Sequence, residues 1–200
     1  MTQKTHQTAV SLARAQGIVR GRDLAKVGAS GATLQRLLRE GTLVRVDRGL
    51  YIAPHRGKVG EPNQLAQLAI RYPNAVFCLL TALQIHGLTT QSPHEVWIAI
   101  SHKTRAPSIN YPPIRVMRFS DPRLDIVQVR IDGVVHVPVT SIAKTIADCF
   151  KFRNKIGLDV ALEALRDAWQ QKKVTMDELW AAAGECRMAN VMRPYLESLV

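Results

Sequence analysis

Residues 30–51 read SGATLQRLLREGTLVRVDRGLY, and the first part of this stretch predicts an amphipathic helix. Ser30 is a favourable N-cap, because its hydroxyl can accept a hydrogen bond from the first turn. Leu34, Leu37 and Leu38 have the i, i+3, i+4 spacing that forms one apolar face. The opposite face carries Thr33, Gln35, Arg36 and Arg39.

The second part of the stretch predicts a hairpin. Gly41 can adopt the left-handed conformation that ends a helix. Two short apolar segments follow at 43–47 and 50–52, and Gly49 permits a tight turn between them. A hairpin that directly follows a helix is typical of a wing. Its tip carries Arg45 and Arg48.

The residues before this stretch supply two further helices. Residues 5–16 have apolar side chains at helical spacing and end at Gly17, and residues 23–27 form a shorter helical segment. Residues 18–20 are expected to be a link between them. The order of helix, helix, turn, helix and wing is that of a winged helix-turn-helix, whose third helix enters the major groove of DNA.

The predicted DNA-binding residues are polar or cationic side chains of the second helix, the third helix and the wing. Groove-facing side chains can read base edges, whereas the surrounding Arg and Lys hold phosphates. The predicted set is Arg22, Lys26, Ser30, Thr33, Gln35, Arg36, Arg39, Arg45 and Arg48. The alternative is a three-helix packing unit without a role in DNA binding.

The positive charge is concentrated in the same region. The chain has a formal net charge of +11, and residues 1–60 contain 11 Lys and Arg against 3 Asp and Glu. Such a balance favours a polyanionic partner, and a folded helix and wing favour nucleic acid over a membrane surface. The alternative is a generally basic, solvated surface.

Length and composition indicate two domains. A chain of 200 residues with 46% hydrophobic residues can form two cores, and the Gly-rich, charged segment 55–62 is typical of a linker. We therefore predict a winged helix-turn-helix domain at 1–56 and an α+β domain at 61–200. In the second domain, strand-like segments indicate an antiparallel sheet of four or five strands, followed by helices. Thr140 or Ser141 would cap one of these helices, and Thr175 with Glu178 would form a capping box.

Three stretches resemble the AbiEi-type antitoxins of type IV toxin–antitoxin systems. They are residues 17–54, TALQIHGL at 81–88 and VPVTSIAKTIADCF at 137–150, in this order. The family usually has Arg–Thr where this chain has Lys144–Thr145. This difference keeps the positive charge but not the bidentate geometry of a guanidinium.

The resemblance implies a transcriptional autorepressor that binds inverted repeats in its own promoter. It also implies a C-terminal domain that counteracts a nucleotidyltransferase-like toxin without a stable complex. The oligomeric state expected is a monomer in solution or a pair on DNA. The alternative is a winged-helix regulator whose second domain senses a ligand or dimerises.

Catalysis is not expected from the sequence. The carboxylates Asp121, Asp125, Asp132 and Asp148 are scattered, and no P-loop, nucleophile elbow or zinc-protease motif is present. The three cysteines are expected to be reduced thiols, and His86 is expected to cap the end of its own helix. We expect no cofactor, metal or membrane span, and a cytoplasmic location, since the N-terminal segment is polar.

Overall fold

The computed structural model describes residues 2–53, 64–109, 112–131 and 135–199. The chain forms two compact units, residues 1–73 with 129–137, and residues 74–128 with 138–200. The predicted linker at 55–62 lies outside the described residues. So does Gly133, where the sequence predicts a turn between two strands. The division at 1–56 and 61–200 therefore stays a prediction.

The first unit is the predicted winged helix-turn-helix with one additional strand and helix. Its elements are α1 (Thr2–Gln16), β1 (Ile18–Arg20), α2 (Gly21–Lys26), α3 (Gly31–Arg39), β2 (Val44–Asp47), β3 (Leu50–Ile52) and α4 (Gln64–Arg71). The antiparallel sheet has the order β1-β3-β2. Helix α4, which the sequence division assigns to the second domain, packs against β1.

The prediction that residues 18–20 form a link is wrong, because they form strand β1. Ile18 lies opposite Ile52, and Arg20 lies opposite Leu50 on β3. Three residues are too short to show a strand periodicity. Their conformation is set by pairing with a strand about 30 residues further along the chain.

The core of the first unit lies between its helices and the sheet. Leu24 of α2, Leu37 of α3 and Leu43, which precedes β2, are fully buried. Leu34 and Leu38 pack around this core and are only partly buried. Leu37 is the buried residue of α3 and therefore fixes the orientation of this helix. A Leu→Ala change in a closed core costs about 2–5 kcal/mol of stability.

The remaining elements form a mixed sheet and a group of helices. The strands are β4 (Val76–Phe77), β5 (Val96–Ser101), β6 (Ile114–Phe119), β7 (Ile126–Ile131) and β8 (Val135–Thr140). The helices are α5 (Leu79–His86), α6 (Ile142–Lys151), α7 (Arg153–Ile156), α8 (Leu158–Gln170), α9 (Met176–Glu185) and α10 (Ala189–Glu197). The caps predicted at Ser141 and at Thr175 with Glu178 are confirmed.

The five-stranded sheet has the order β6-β5-β4-β8-β7. Strands β4 and β5 are antiparallel, but β4 with β8 and β5 with β6 are parallel pairs. The sheet is therefore mixed rather than antiparallel throughout. Hydrophobic alternation predicts that a segment is a strand, but it does not give the direction of its neighbour.

His86 does not cap its own helix as expected. Its Nε2–H donates to the carbonyl oxygen of Thr140, at 2.8 Å. The Lys173 ammonium instead donates to the carbonyl oxygen of His86, at 2.7 Å. Burial lowers the pKa of His86, which favours the neutral imidazole.

Lys144 and Asp148 form a buried ion pair, whereas the i, i+4 spacing predicts a weak surface pair. Their relative exposures are 5% and 1%, and Lys144 Nζ lies 2.6 Å from Asp148 Oδ2. Cys186 Sγ lies 3.4 Å from Lys144 Nζ and 3.4 Å from Asp148 Oδ1. Burial raises the pKa of Asp148. For Lys144, burial is the largest single effect and lowers the pKa, but the charges and hydrogen bonds of Asp148 and Cys186 together outweigh it, so the pKa of the ammonium is raised.

We predict that Asp148→Asn lowers the free energy of unfolding of the second unit by about 3–5 kcal/mol, because it leaves the Lys144 ammonium buried without a counter-charge. Urea unfolding followed by tryptophan fluorescence measures this unit, since Trp97, Trp169 and Trp180 all lie in it. The control is Glu95→Gln, which breaks the exposed ion pair with Arg115 and should cost less than about 1 kcal/mol. Equal losses for the two variants would contradict the prediction.

Candidate nucleic-acid interface

Helix α3 exposes one face to solvent, and three of its four side chains there are polar or cationic. Ala32, Gln35, Arg36 and Arg39 are all exposed and follow the spacing of one helical face. Leu37, on the opposite side, is fully buried. The packing of one leucine therefore determines that the two arginines and the glutamine point outwards, as a recognition helix requires.

Ser30 and Thr33 form the N-terminal cap of this helix. The Ser30 hydroxyl accepts a hydrogen bond from the Thr33 amide at 3.2 Å, and the two hydroxyl oxygens lie 3.1 Å apart. Ser30 is exposed, but Thr33 is half-buried. Ser30 and Thr33, which the sequence analysis predicts to bind DNA, thus cap the N-terminus of α3 in the structure.

Arg36 shares the end of α3 with a carboxylate that the sequence analysis did not consider. Glu40 Oε1 lies 3.7 Å from Arg36 Nε, and Glu40 Oε2 lies 3.0 Å from His6 Nε2. Glu40 is exposed and follows the last turn of the helix. Its negative charge offsets part of the positive potential at this end of α3.

The start of α2 and the turn of the wing are adjacent. The Gly21 amide donates to the carbonyl oxygen of Gly49 at 2.9 Å. The neighbouring side chains of Arg22 and Arg48 are both exposed. The bond therefore brings two cations that are distant in sequence to the same edge of the unit.

Arg20 is a cation at this edge that the sequence analysis missed. It ends β1, and its side chain is half-buried next to Arg22. Burial lowers the pKa of Arg20, and the positive charge of Arg22 lowers it further. Its place beside the wing depends on the pairing of β1 with β3, which no local pattern indicates.

The other predicted residues also face solvent. Arg45 lies on β2 opposite Tyr51, and Arg48 lies in the turn that follows. Lys26 lies in the last turn of α2, where its ammonium is 3.3 Å from Asp23. Of the nine predicted side chains, eight are exposed and Thr33 alone is half-buried.

The described residues contain no group of three His, Cys, Asp or Glu side chains that could hold a metal ion. Among them, no helix is both long enough and apolar enough to cross a membrane. Cys78, Cys149 and Cys186 are buried free thiols.

Residues 7–54 match the family model described as a transcriptional regulator, AbiEi antitoxin. These residues are therefore similar to the AbiEi antitoxins, and we call them the AbiEi-type residues. The AbiEi-type residues extend from α1 to the end of the wing and include every predicted DNA-binding residue. None of the curated proteins compared with the chain is a significant match.

The fold of most of the chain is similar to that of a solved structure. The crystal structure of the RV2827C protein from Mycobacterium tuberculosis aligns with a TM-score of 0.53 and 16% sequence identity. The alignment covers 88% of this chain and 70% of that chain. At this identity the similarity shows the fold alone.

We predict that Glu40→Gln strengthens binding to every duplex by about two- to tenfold, since the change removes a carboxylate next to Arg36 and so reduces repulsion of DNA phosphates. Fluorescence anisotropy with a labelled duplex measures the affinity. The control is Glu197→Gln, which changes the net charge equally from an exposed position on α10. An unchanged or weaker affinity for Glu40→Gln alone would show that Glu40 supports the interface.

Proposed function

We propose that this protein is a type IV antitoxin and transcriptional autorepressor. In this proposal the winged helix-turn-helix binds inverted repeats in the protein's own promoter, and the second unit counteracts a nucleotidyltransferase-like toxin. The observation that carries the proposal is the AbiEi match at residues 7–54 together with the outward-facing cations of the same residues. The function proposed is binding rather than catalysis.

The arrangement of side chains supports a division of labour on DNA. Gln35, Arg36 and Arg39 project from the exposed face of α3, where a major groove would meet them. A glutamine can pair with adenine and an arginine with guanine through two hydrogen bonds each. We assign base reading to these three residues.

The residues around α3 would hold the backbone of the duplex. Arg22 and Lys26 on α2, and Arg45 and Arg48 on the wing, are exposed cations. Such contacts to phosphates add affinity for any sequence and release counterions. With about four phosphate contacts, the logarithm of the affinity should fall against the logarithm of the salt concentration with a slope of about −3.6.

Repression would use two copies on one operator. Closed oligomers are mostly twofold symmetric, and the half-sites of an operator mirror the symmetry of the bound proteins. Two monomers on adjacent half-sites satisfy the same geometry. The operator expected is therefore an inverted repeat whose half-sites are about one helical turn apart.

We predict that Arg39→Ala and Arg48→Ala weaken DNA binding in different ways. Arg39→Ala should cost about 1–3 kcal/mol on the operator and little on random duplex, because a base contact is lost. Arg48→Ala should weaken both duplexes equally and make the salt slope less steep by about one. Titrations of the full chain at several salt concentrations measure both effects.

The matched control for these two variants is Arg166→Ala, an exposed position on α8 in the second unit. It removes the same charge and should leave both affinities within twofold. If Arg39→Ala and Arg48→Ala lower operator and random binding by the same factor, the assignment of base reading to α3 is wrong.

We predict that a full chain carrying Arg36→Ala and Arg39→Ala loses repression but keeps antitoxin activity when expressed from an independent promoter. The reason is that the proposal places toxin neutralisation in the second unit. A promoter reporter measures repression, and growth of cells that co-express the toxin measures antitoxin activity. Loss of growth rescue by this variant, at an unchanged level of folded protein, would show that DNA binding and neutralisation are not separable.

A further inference from the structure

The second unit contains a cavity of about 470 Å³ that the proposed function does not use. This volume is within the range of small-molecule sites in proteins. Its walls come from His102, which follows β5, from β6 and the turn after it, from α6 and from the end of α9. All of its lining residues belong to the second unit.

The floor of the cavity is formed by the buried pair of Lys144 and Asp148 with Cys186. Burial raises the pKa of the Cys186 thiol to about 11, so the thiol stays protonated and can donate to Asp148. The Lys144 ammonium also lies 5.0 Å from the centre of the Phe119 ring. The floor is thus polar, fully paired and without net charge.

The mouth of the cavity is cationic, and its charges come from three different elements. Arg118 lies on β6, Lys151 lies in the last turn of α6, and Arg187 follows α9. All three side chains are exposed, as is His102 beside them. The carboxylates of Asp121 and Glu185 also line the mouth, so three cations face two anions and one positive charge is in excess. The Asp121 carboxylate accepts a hydrogen bond from the Arg123 amide at 2.9 Å.

The guanidinium of one of these cations is held in place before any ligand arrives, and the backbone of a second is fixed by a hydrogen bond. Arg118 Nη1 donates to the carbonyl oxygens of Ser101, His102 and Thr104, at 3.0, 2.9 and 2.6 Å. Arg187 has a left-handed backbone with φ of 59°, and its amide donates to the carbonyl oxygen of Gly184 at 3.0 Å. Ordering of a site before binding lowers the entropy loss on binding.

From this geometry we propose that the cavity of the second unit is a binding site for a small phosphate-bearing anion. The anion lies at the mouth, where Arg118, Lys151 and Arg187 contact its oxygens. The neutral floor limits how deep it enters. Arginine suits this ligand because a guanidinium can donate two parallel hydrogen bonds to a phosphate. The inference goes beyond the proposed function and does not depend on it.

The test is isothermal titration calorimetry of the full chain with pyrophosphate at constant ionic strength. We expect saturable binding that Arg187→Asn and Lys151→Gln each weaken about tenfold. Asparagine is chosen at 187 because it tolerates a positive φ. The matched control is Lys172→Asn, since Lys172 is also an exposed cation with a positive φ, of 52°, and lies outside the cavity.

Three results would overturn the proposal. They are the absence of saturable binding, an affinity that Arg187→Asn and Lys151→Gln leave unchanged, and an equal loss with Lys172→Asn. Titration with malonate tests the class of ligand, and malonate binding as tight as that of pyrophosphate would overturn the phosphate assignment. DNA affinity of Arg187→Asn, measured in parallel, should be unchanged, so that failure of this site and failure of the DNA-binding proposal are distinguishable.

Discussion

The burial of Leu37 is the constraint on which the DNA-facing surface depends. Its side chain is fully buried, and its carbonyl oxygen accepts from the amides of Thr42 and Leu43 at 3.0 and 3.1 Å. The side chain therefore fixes the rotation of α3 about its axis, and the carbonyl fixes where the chain leaves for the wing. Rotation of α3 by about 100°, the angle between neighbouring residues, would bury polar side chains that have no partner there.

The second unit depends on a different constraint, the pairing of two buried charges on α6. Every residue from 143 to 150 is buried, so Lys144 and Asp148 lie in a helix with no solvent-facing side over these turns. Helices α5, α8 and α9 all pack against α6. A well-packed apolar pair is often at least as stable as a buried ion pair. This ion pair lies at the floor of the cavity, where its two charges shape the site.

Much of the first unit could be predicted because its signals are local. The Ser30 cap, the leucine spacing of α3 and the glycine before the wing each act within a few residues. Strand β1, the contact of Glu40 with His6 and Arg36, and the position of Arg20 could not be predicted in this way. Each depends on residues that are brought together by folding, such as His6 and Glu40, which are 34 positions apart.

The sequence by itself determined the order of helices and wing, the outward face of α3 and the concentration of cations in the first unit. These features follow from periodicity, capping and charge, which are properties of neighbouring residues. Only the tertiary structure decided that two of the sheet's strand pairs are parallel, that Lys144 and Asp148 are buried, and that Arg118, Lys151 and Arg187 surround one cavity. An i, i+4 pair of opposite charges has the same spacing on a surface as in a core. A buried pair differs from a surface pair only in the packing of other elements around it, and this packing is set by contacts between distant segments.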